Sequence, residues 1–270
     1  MAPLNSESHK KEQSAPRIQV TDGALIPAKG DKSSLLTWRI TFFGAIGLIA
    51  FLAIFYPDPY LKILKFVPDG ILITFEVTIL AIICATFIGL LAGLGQISRV
   101  PALNRITTIY IEVIRGIPLL VQLFYIYYAL GRFFHLQGMA AAVIAMAVCY
   151  GAYMGEIFRA GIQSIPKGQM EAAIALGLTR GQALRKVILP QTIKVILPAI
   201  GNEFIALLKD SSLVSVLAIS DLLRRGREFA STTFLYFEAY SLIALIYLVL
   251  TLFLSRLVGM MEERMTIDGK

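Results

Sequence analysis

The chain has 270 residues, of which 57% are hydrophobic and only 16% charged; its mean hydropathy is +0.72 and its net charge +7. A soluble globular domain carries about 25% charged residues, so this composition excludes an ordinary water-facing fold and points to a membrane as the solvent. Cys84 and Cys149 each sit inside an apolar run, which excludes a disulfide framework and a CxxC metal or redox site and leaves two buried thiols as the expectation.

Residues 1–35 are polar, mixed in charge and interrupted by Pro3, Pro16 and Pro27, so a disordered arm is expected there. A membrane-crossing helix needs about 20 largely apolar residues to traverse roughly 30 Å of hydrocarbon, and six stretches qualify. The first, residues 36–56, is stopped by Pro57-Asp58-Pro59. The long arm before it, and the lack of a small-residue cleavage site after it, argue against a secretory signal. The second, residues 70–96, contains Gly89 and Gly93 in a GxxxG, which lets helices approach closely within a subunit or across a dimer. Its Glu76, near the outer end, can reach the interface. The third, residues 105–130, is interrupted at Arg115-Gly116-Ile117-Pro118. Such breaks in the backbone ladder are tolerated where neighbours or a water-filled cavity satisfy the freed groups, so Arg115, Gly116 and Pro118 form a candidate gate. The fourth, residues 139–158, carries a second GxxxG at Gly151 and Gly155. Glu112 with Arg115, and Glu156 with Arg159, are spaced for mutual neutralisation along one helix face.

Residues 164–190 form a loop with its own helical signals. Ser164 and Pro166 suit a helix start, good helix formers follow, and Gly177 has the position of a terminating glycine. Thr179 and Gln182 then have capping-box spacing and begin a second helix. Alanines at positions 172, 173 and 175 leave a low-relief surface that another protein's backbone can approach, the form of a docking element; the alternative is an amphipathic loop resting on lipid headgroups. The fifth stretch, residues 192–208, holds Glu203 about eleven residues in, or roughly 16 Å along the axis and close to the bilayer midplane. An ionisable group at that depth is expensive unless it faces a partner or a cavity, which makes Glu203 the first candidate for a substrate path. Asn202 beside it suits interhelical packing, and Asp210, one near-heptad on, shares the face of Glu203. Together the two carboxylates favour a cationic or zwitterionic solute. Residues 213–223 read as a re-entrant apolar piece and residues 236–257 as the sixth span.

With the amino terminus inside, 17 of the 25 lysines and arginines fall on the cytoplasmic side, seven outside and Arg115 within a span, so the positive-inside rule places both termini in the cytoplasm. Lys209, Arg224, Arg225 and Arg227 run against that pattern. The asymmetry accounts for the net charge without nucleic-acid binding.

Glu171-Ala172-Ala173, three residues, Gly177, nine residues, then Val187-Ile188-Leu189-Pro190 resembles the EAA loop of ATP-binding-cassette (ABC) importer permeases, with Val187 where that pattern has isoleucine. Residues 110–122 (YIEVIRGIPLLVQ), 152–161 (AYMGEIFRAG) and 201–213 (GNEFIALLKDSSL) are similar to the polar-amino-acid branch of that family and occur in the same order. The resemblance covers roughly residues 70–264. It implies an all-α integral membrane protein like a type I ABC importer, with a five-helix core to which residues 36–56 are an addition. It also implies a bacterial inner-membrane permease for polar amino acids, paired with a second permease subunit, the same chain or a paralogue. A dimer of ATPase chains would lie below and an extracytoplasmic amino-acid-binding protein above. Glu171, Ala172, Ala173 and Gly177 would then meet the ATPase, which alone binds ATP.

The chain itself has no GxxxxGK[ST]; Gly30-Asp31-Lys32-Ser33 lacks the glycines such a loop requires. It has no HExxH, and His9 and His135 are its only histidines, so neither ATP hydrolysis nor histidine-based catalysis is expected of it. An ion-gradient-driven carrier would fit the broken helix and Glu203 but leave the loop without a purpose. A membrane scaffold would use the loop and leave the midplane carboxylate idle.

Overall fold

The computed structural model describes residues 32–134 and 138–267. The arm expected to be disordered lies almost wholly outside them, as do His9 and His135. Helix α1 (Lys32–Phe55) ends before Pro57 and is followed at once by α2 (Pro57–Phe66), an amphipathic helix with proline in its first turn. Then come α3 (Pro68–Gln96), α4 (Pro101–Gly116), α5 (Leu119–Phe124), a π-helical turn at Tyr125–Leu130, and α6 (Gly131–Phe134). Helix α7 (Gly138–Gln163) leads into the short α8 (Lys167–Ala175). Next, α9 (Arg180–Ala183), a π-helical segment Leu184–Ile188, α10 (Leu189–Asp210) and a 3-10 stretch Ser211–Leu217 run on as one helical body of 38 residues. Two helices complete the fold, α11 (Leu222–Thr233) and α12 (Tyr236–Ile267).

Among the described residues five of these bodies are long and apolar enough to cross a membrane, and the bent α4–α5 pair qualifies as a sixth when taken as one span. The expected single span over residues 105–130 needs correction: α4 and α5 meet at 104°. Ile117 and Pro118 are extended between them, and proline supplies no backbone N–H to carry the ladder through. The second helix of the loop is likewise not separate from the fifth span but its first turns. The apolar piece at 213–223 does not form one element: it turns at Ala218, which is left-handed (φ 62°), and Asp221 then caps α11.

The core lies where α3 and α7 pack face to face, the most extensive helix pair in the chain. Small residues make this possible. A Cβ on Gly93 would stand 2.7 Å from the carbonyl oxygen of Gly155, and one on Gly151 2.7 Å from Ile88. Both GxxxG motifs therefore serve contact inside the subunit. Val77, Ala81, Ala85, Met146 and Met154 fill this seam, and Leu207 and Val214 close it from α10 and the 3-10 stretch. A second cluster, built on Ile63, Val67, Leu222, Phe229 and Leu242, joins α2 and α11 to α12. Outward-facing Phe43, Ile83, Phe87 and Phe253 give the bundle the apolar exterior that lipid requires. Helix α1 packs on α12, and the Trp38 indole N–H donates to the Leu252 carbonyl at 3.0 Å. Glu76 is exposed on α3.

The three arginines that run against the charge pattern are engaged locally, while Lys209 lines a cavity. Arg224 and Arg225 both pair with Glu228 (2.9 and 3.1 Å), Arg225 also reaches Asp69, and its guanidinium lies over the Phe66 ring. The hydrogen bond to the Asp69 carboxylate holds the Arg225 pKa above its ordinary value. Arg227 reaches the Ser215 carbonyl at 3.4 Å.

Candidate functional site

The loop between α7 and α9 is built as its residues dictate. Helix α8 ends in a full Schellman motif: Gly177 N–H donates to Ile174 O at 2.9 Å and Leu178 N–H to Ala173 O at 3.1 Å. That geometry needs the left-handed backbone of Gly177 (φ +86°), which costs glycine nothing. One residue on, the capping box forms in both directions. Gln182 N–H donates to Thr179 Oγ1 at 3.3 Å and Thr179 N–H to Gln182 Oε1 at 3.0 Å. Glu171, Ala172 and Gly177 face outward; Ala173 is buried at 4% exposure and packs into the chain instead. Sequence reading passed over Ile174 and Leu176, which stand out of the same turn at 41% and 85% exposure. Their signal is an apolar pair beside a terminating glycine in an otherwise polar loop.

The second place where functional side chains gather is a cavity of about 790 Å³ between α4, α5, α7 and α10. Arg115, Gly116, Ile117, Pro118 and Leu119, the break itself, form one wall. Glu203, Ala206, Lys209 and Asp210 line it from α10, and Cys149, Tyr150 and Tyr153 from α7. The residues singled out as path and as gate thus border one space, apart from Asn202, which is half-buried on α10 and not part of the lining. Lys209, Tyr150 and Tyr153 were not foreseen. Topology had put Lys209 outside, and a tyrosine in an apolar run carries no mark of what it faces.

Polar contacts order this wall. The Tyr150 hydroxyl donates to Asp210 Oδ2 at 2.7 Å. Arg115 lies over the Tyr153 ring, 5.3 Å from its centroid, and its Nη1 is 3.9 Å from Glu156 Oε2. Glu156 in turn accepts from Arg159 at 2.7 Å and from the Gln96 side chain at 3.1 Å. The expected Glu156–Arg159 pair is present. For Arg115 the expectation needs correction: it pairs across to α7, where Tyr153 and Glu156, three residues apart, offer an aromatic face and a carboxylate together, while Glu112 is exposed on α4. The cavity therefore carries two cations, Arg115 and Lys209, and two carboxylates, Glu203 and Asp210. Such a balanced set suits a solute with both signs of charge. Among the described residues no cluster of histidine, cysteine, aspartate and glutamate could hold a metal ion.

Known proteins agree with this architecture. The family model for the binding-protein-dependent transport system inner membrane component matches residues 85–267. The probable amino-acid permease protein YxeN of Bacillus subtilis (strain 168) is 40% identical over 198 residues, which is 72% of this chain and 88% of that protein. The glutamine transport system permease protein GlnP of Escherichia coli (strain K12) is 38% identical over 202 residues, 74% of this chain and 92% of its own. Among solved structures, an amino acid ABC transporter with histidines is 44% identical and superposes with a TM-score of 0.72, covering 76% of this chain and 96% of that one. Matched over most of the length of such relatives, the chain is supported as part of an ABC-type import system over an ion-gradient carrier. The chain belongs to the family of inner-membrane permease components of binding-protein-dependent, ABC-type import systems.

Proposed function

We propose that the chain conducts polar amino acids through the cavity between α4, α5, α7 and α10, driven by a separate ATPase that seats against α8. The carrying observation is the convergence of Arg115, Lys209, Glu203 and Asp210 on one space beside a broken helix. An amino-acid zwitterion presents a carboxylate and an ammonium group, and opposite charges held apart on a scaffold recognise that pair. Glu203 and Asp210, backed by the Tyr150 hydroxyl on Asp210, would take the ammonium end and any basic side chain. Arg115, oriented by Tyr153 and Glu156, would take the carboxylate. Neutral and basic amino acids fit this arrangement better than acidic ones.

The relatives' names supply the class of solute: GlnP is a glutamine permease and YxeN a probable amino-acid permease. By the same likeness the working assembly comprises two permease subunits, an ATPase dimer that binds the ATP, and an extracytoplasmic amino-acid-binding protein. Both termini then lie in the cytoplasm, on the side of α8, and α1 is an addition to a five-helix core. Glu171, Ala172 and Gly177 form the surface that meets the ATPase, with Ala173 setting the helix against its own chain.

Uptake into vesicles carrying the whole importer tests the cavity assignment. Glu203→Gln is expected to reduce uptake of a cationic amino acid more than that of a neutral one. Equal effects on both would remove Glu203 from the path.

A further inference from the structure

The break between α4 and α5 is held from behind by one side chain. In an uninterrupted helix the carbonyl of Ile114 would accept from the N–H of residue 118, but that residue is proline and has none, so from the backbone it keeps a long bond of 3.4 Å from the Ile117 N–H. The carbonyl of Ile117 is also released, because the N–H of Val121, its helical partner, donates to Pro118 O instead. Gln122 answers both. Its Nε2 donates to Ile114 O and to Ile117 O, each at 2.8 Å, while its backbone N–H donates to Pro118 O at 3.2 Å. The side chain is 5% exposed and lies between Cys149, which borders the polar cavity, and an apolar hollow lined by Ile114, Ile117, Val121 and Tyr125. One amide group therefore spans the crook, tying the last turn of α4 to the extended residues that follow it and to the first turns of α5.

We propose that Gln122 is a positioning residue for the translocation path: by supplying the donor that Pro118 lacks, it fixes the 104° crook and with it the place of Arg115 in the cavity wall. This rests on the reading of that cavity as the path. The neighbouring residues of α5 are leucine, valine and phenylalanine, which have no donor to offer in its place. Without the amide, Ile114 O keeps only its long bond from Ile117 N–H and Ile117 O loses the Gln122 donor, and a turn of either toward cavity water or toward the guanidinium of Arg115 draws Arg115 away from Tyr153 and Glu156.

Distances between nitroxide labels on the full chain in lipid nanodiscs test this. Labels go at Ile106→Cys on α4 and Tyr128→Cys beyond α5, both exposed, with Cys84, which is exposed and not buried as its apolar run suggests, replaced by serine. A second pair, at Phe87→Cys on α3 and Ile144→Cys on α7, reports on the bundle itself. Gln122→Met, similar in size and without a donor, is expected to broaden the α4–α5 distribution and shift it while the α3–α7 distribution stays unchanged. Pro118→Ala restores a backbone N–H for Ile114, so the double variant is expected to narrow the α4–α5 distribution again. In the assembled importer, Gln122→Met should raise the half-saturation concentration for uptake severalfold at unchanged protein level, and Pro118→Ala should reverse part of that rise. An α4–α5 distribution unaltered by Gln122→Met, a broadening shared equally by the α3–α7 pair, or no recovery in the double variant would overturn the proposal. The distance measurement needs no solute, so its failure leaves the Glu203 experiment standing, and failure of the Glu203 experiment leaves the crook measurement intact.

Discussion

The closeness of α3 and α7 makes a graded prediction about three glycines. A Cβ built on Gly89 would lie 2.9 Å from the backbone nitrogen of Gly155 and closer still to the Cβ of Met154. Carbon atoms prefer separations of about 3.5–4.0 Å, so Gly89→Ala must push the two helices apart by roughly 1 Å, and no flexible chain end is there to yield instead. Overpacking of that kind costs about 1–3 kcal/mol. Gly155→Ala meets the Cδ1 of Ile111 at 2.9 Å, the far end of a side chain that can rotate, and the Cβ of Ala92 at 3.2 Å, which must give by a few tenths of an ångström, so its cost falls below that of Gly89→Ala. Gly44→Ala on α1 meets nothing within 4 Å and should gain about 0.5–1 kcal/mol of helix propensity. For a chain of this length each kcal/mol moves the unfolding temperature by about 2–4 °C. Thermal unfolding in nanodiscs should therefore rank Gly89→Ala lowest, Gly155→Ala between, and Gly44→Ala at or above the parent. If Gly89→Ala and Gly44→Ala melt together, the α3–α7 seam is not packed as described.

Two further outcomes are expected. Gly177→Leu has space for the new side chain but holds a non-glycine residue at φ +86°, at a cost of about 1–2 kcal/mol, and should leave ATP hydrolysis running without uptake in the assembled importer; Gly177→Asn, which tolerates that backbone, should retain more coupling. Unchanged coupling in the leucine variant would argue against α8 as the docking element. Asp221, fully buried, caps α11 through the N–H groups of Leu223 and Arg224, and burial pushes its carboxyl from the usual 3.8 up to about 6. Because the folded value lies above the unfolded one, this group's stabilising contribution is complete below about pH 4 and is lost as pH rises through 6. Melting profiles from pH 4 to 7.5 should flatten in Asp221→Asn, which keeps the cap; an unchanged slope would assign the dependence to other groups.

Much of this was legible in the residues. Runs of apolar residues located the spans, because burial of backbone in hydrocarbon leaves helices little alternative. Gly177, Thr179 and Gln182 announced the turn between α8 and α9, since their chemistry is local. Pro118 announced the break, though not its angle, which depends on Gln122 reaching back across it. The amphipathic helices α2 and α11 escaped notice: Pro57–Phe66 and Leu222–Thr233 carry too many charges for a span, and their apolar faces find partners only in the cluster around Leu242. The link from Arg115 to Tyr153 and Glu156 was equally hidden, because contacts between helices far apart in sequence leave no periodic trace.

The continuity of Arg180–Leu217 has a mechanical consequence. Glu203 lies about 35 Å and Asp210 about 45 Å along that body from its capped start, at 1.5 Å per residue. A lever arm of such reach turns a tilt of about 5° at the Thr179 end into a sweep of roughly 3 Å at Glu203 and 4 Å at Asp210. The two carboxylates ride together, whereas Tyr150 belongs to a different helix. The 2.7 Å bond between Tyr150 and Asp210 is thus a joint that such a tilt would load.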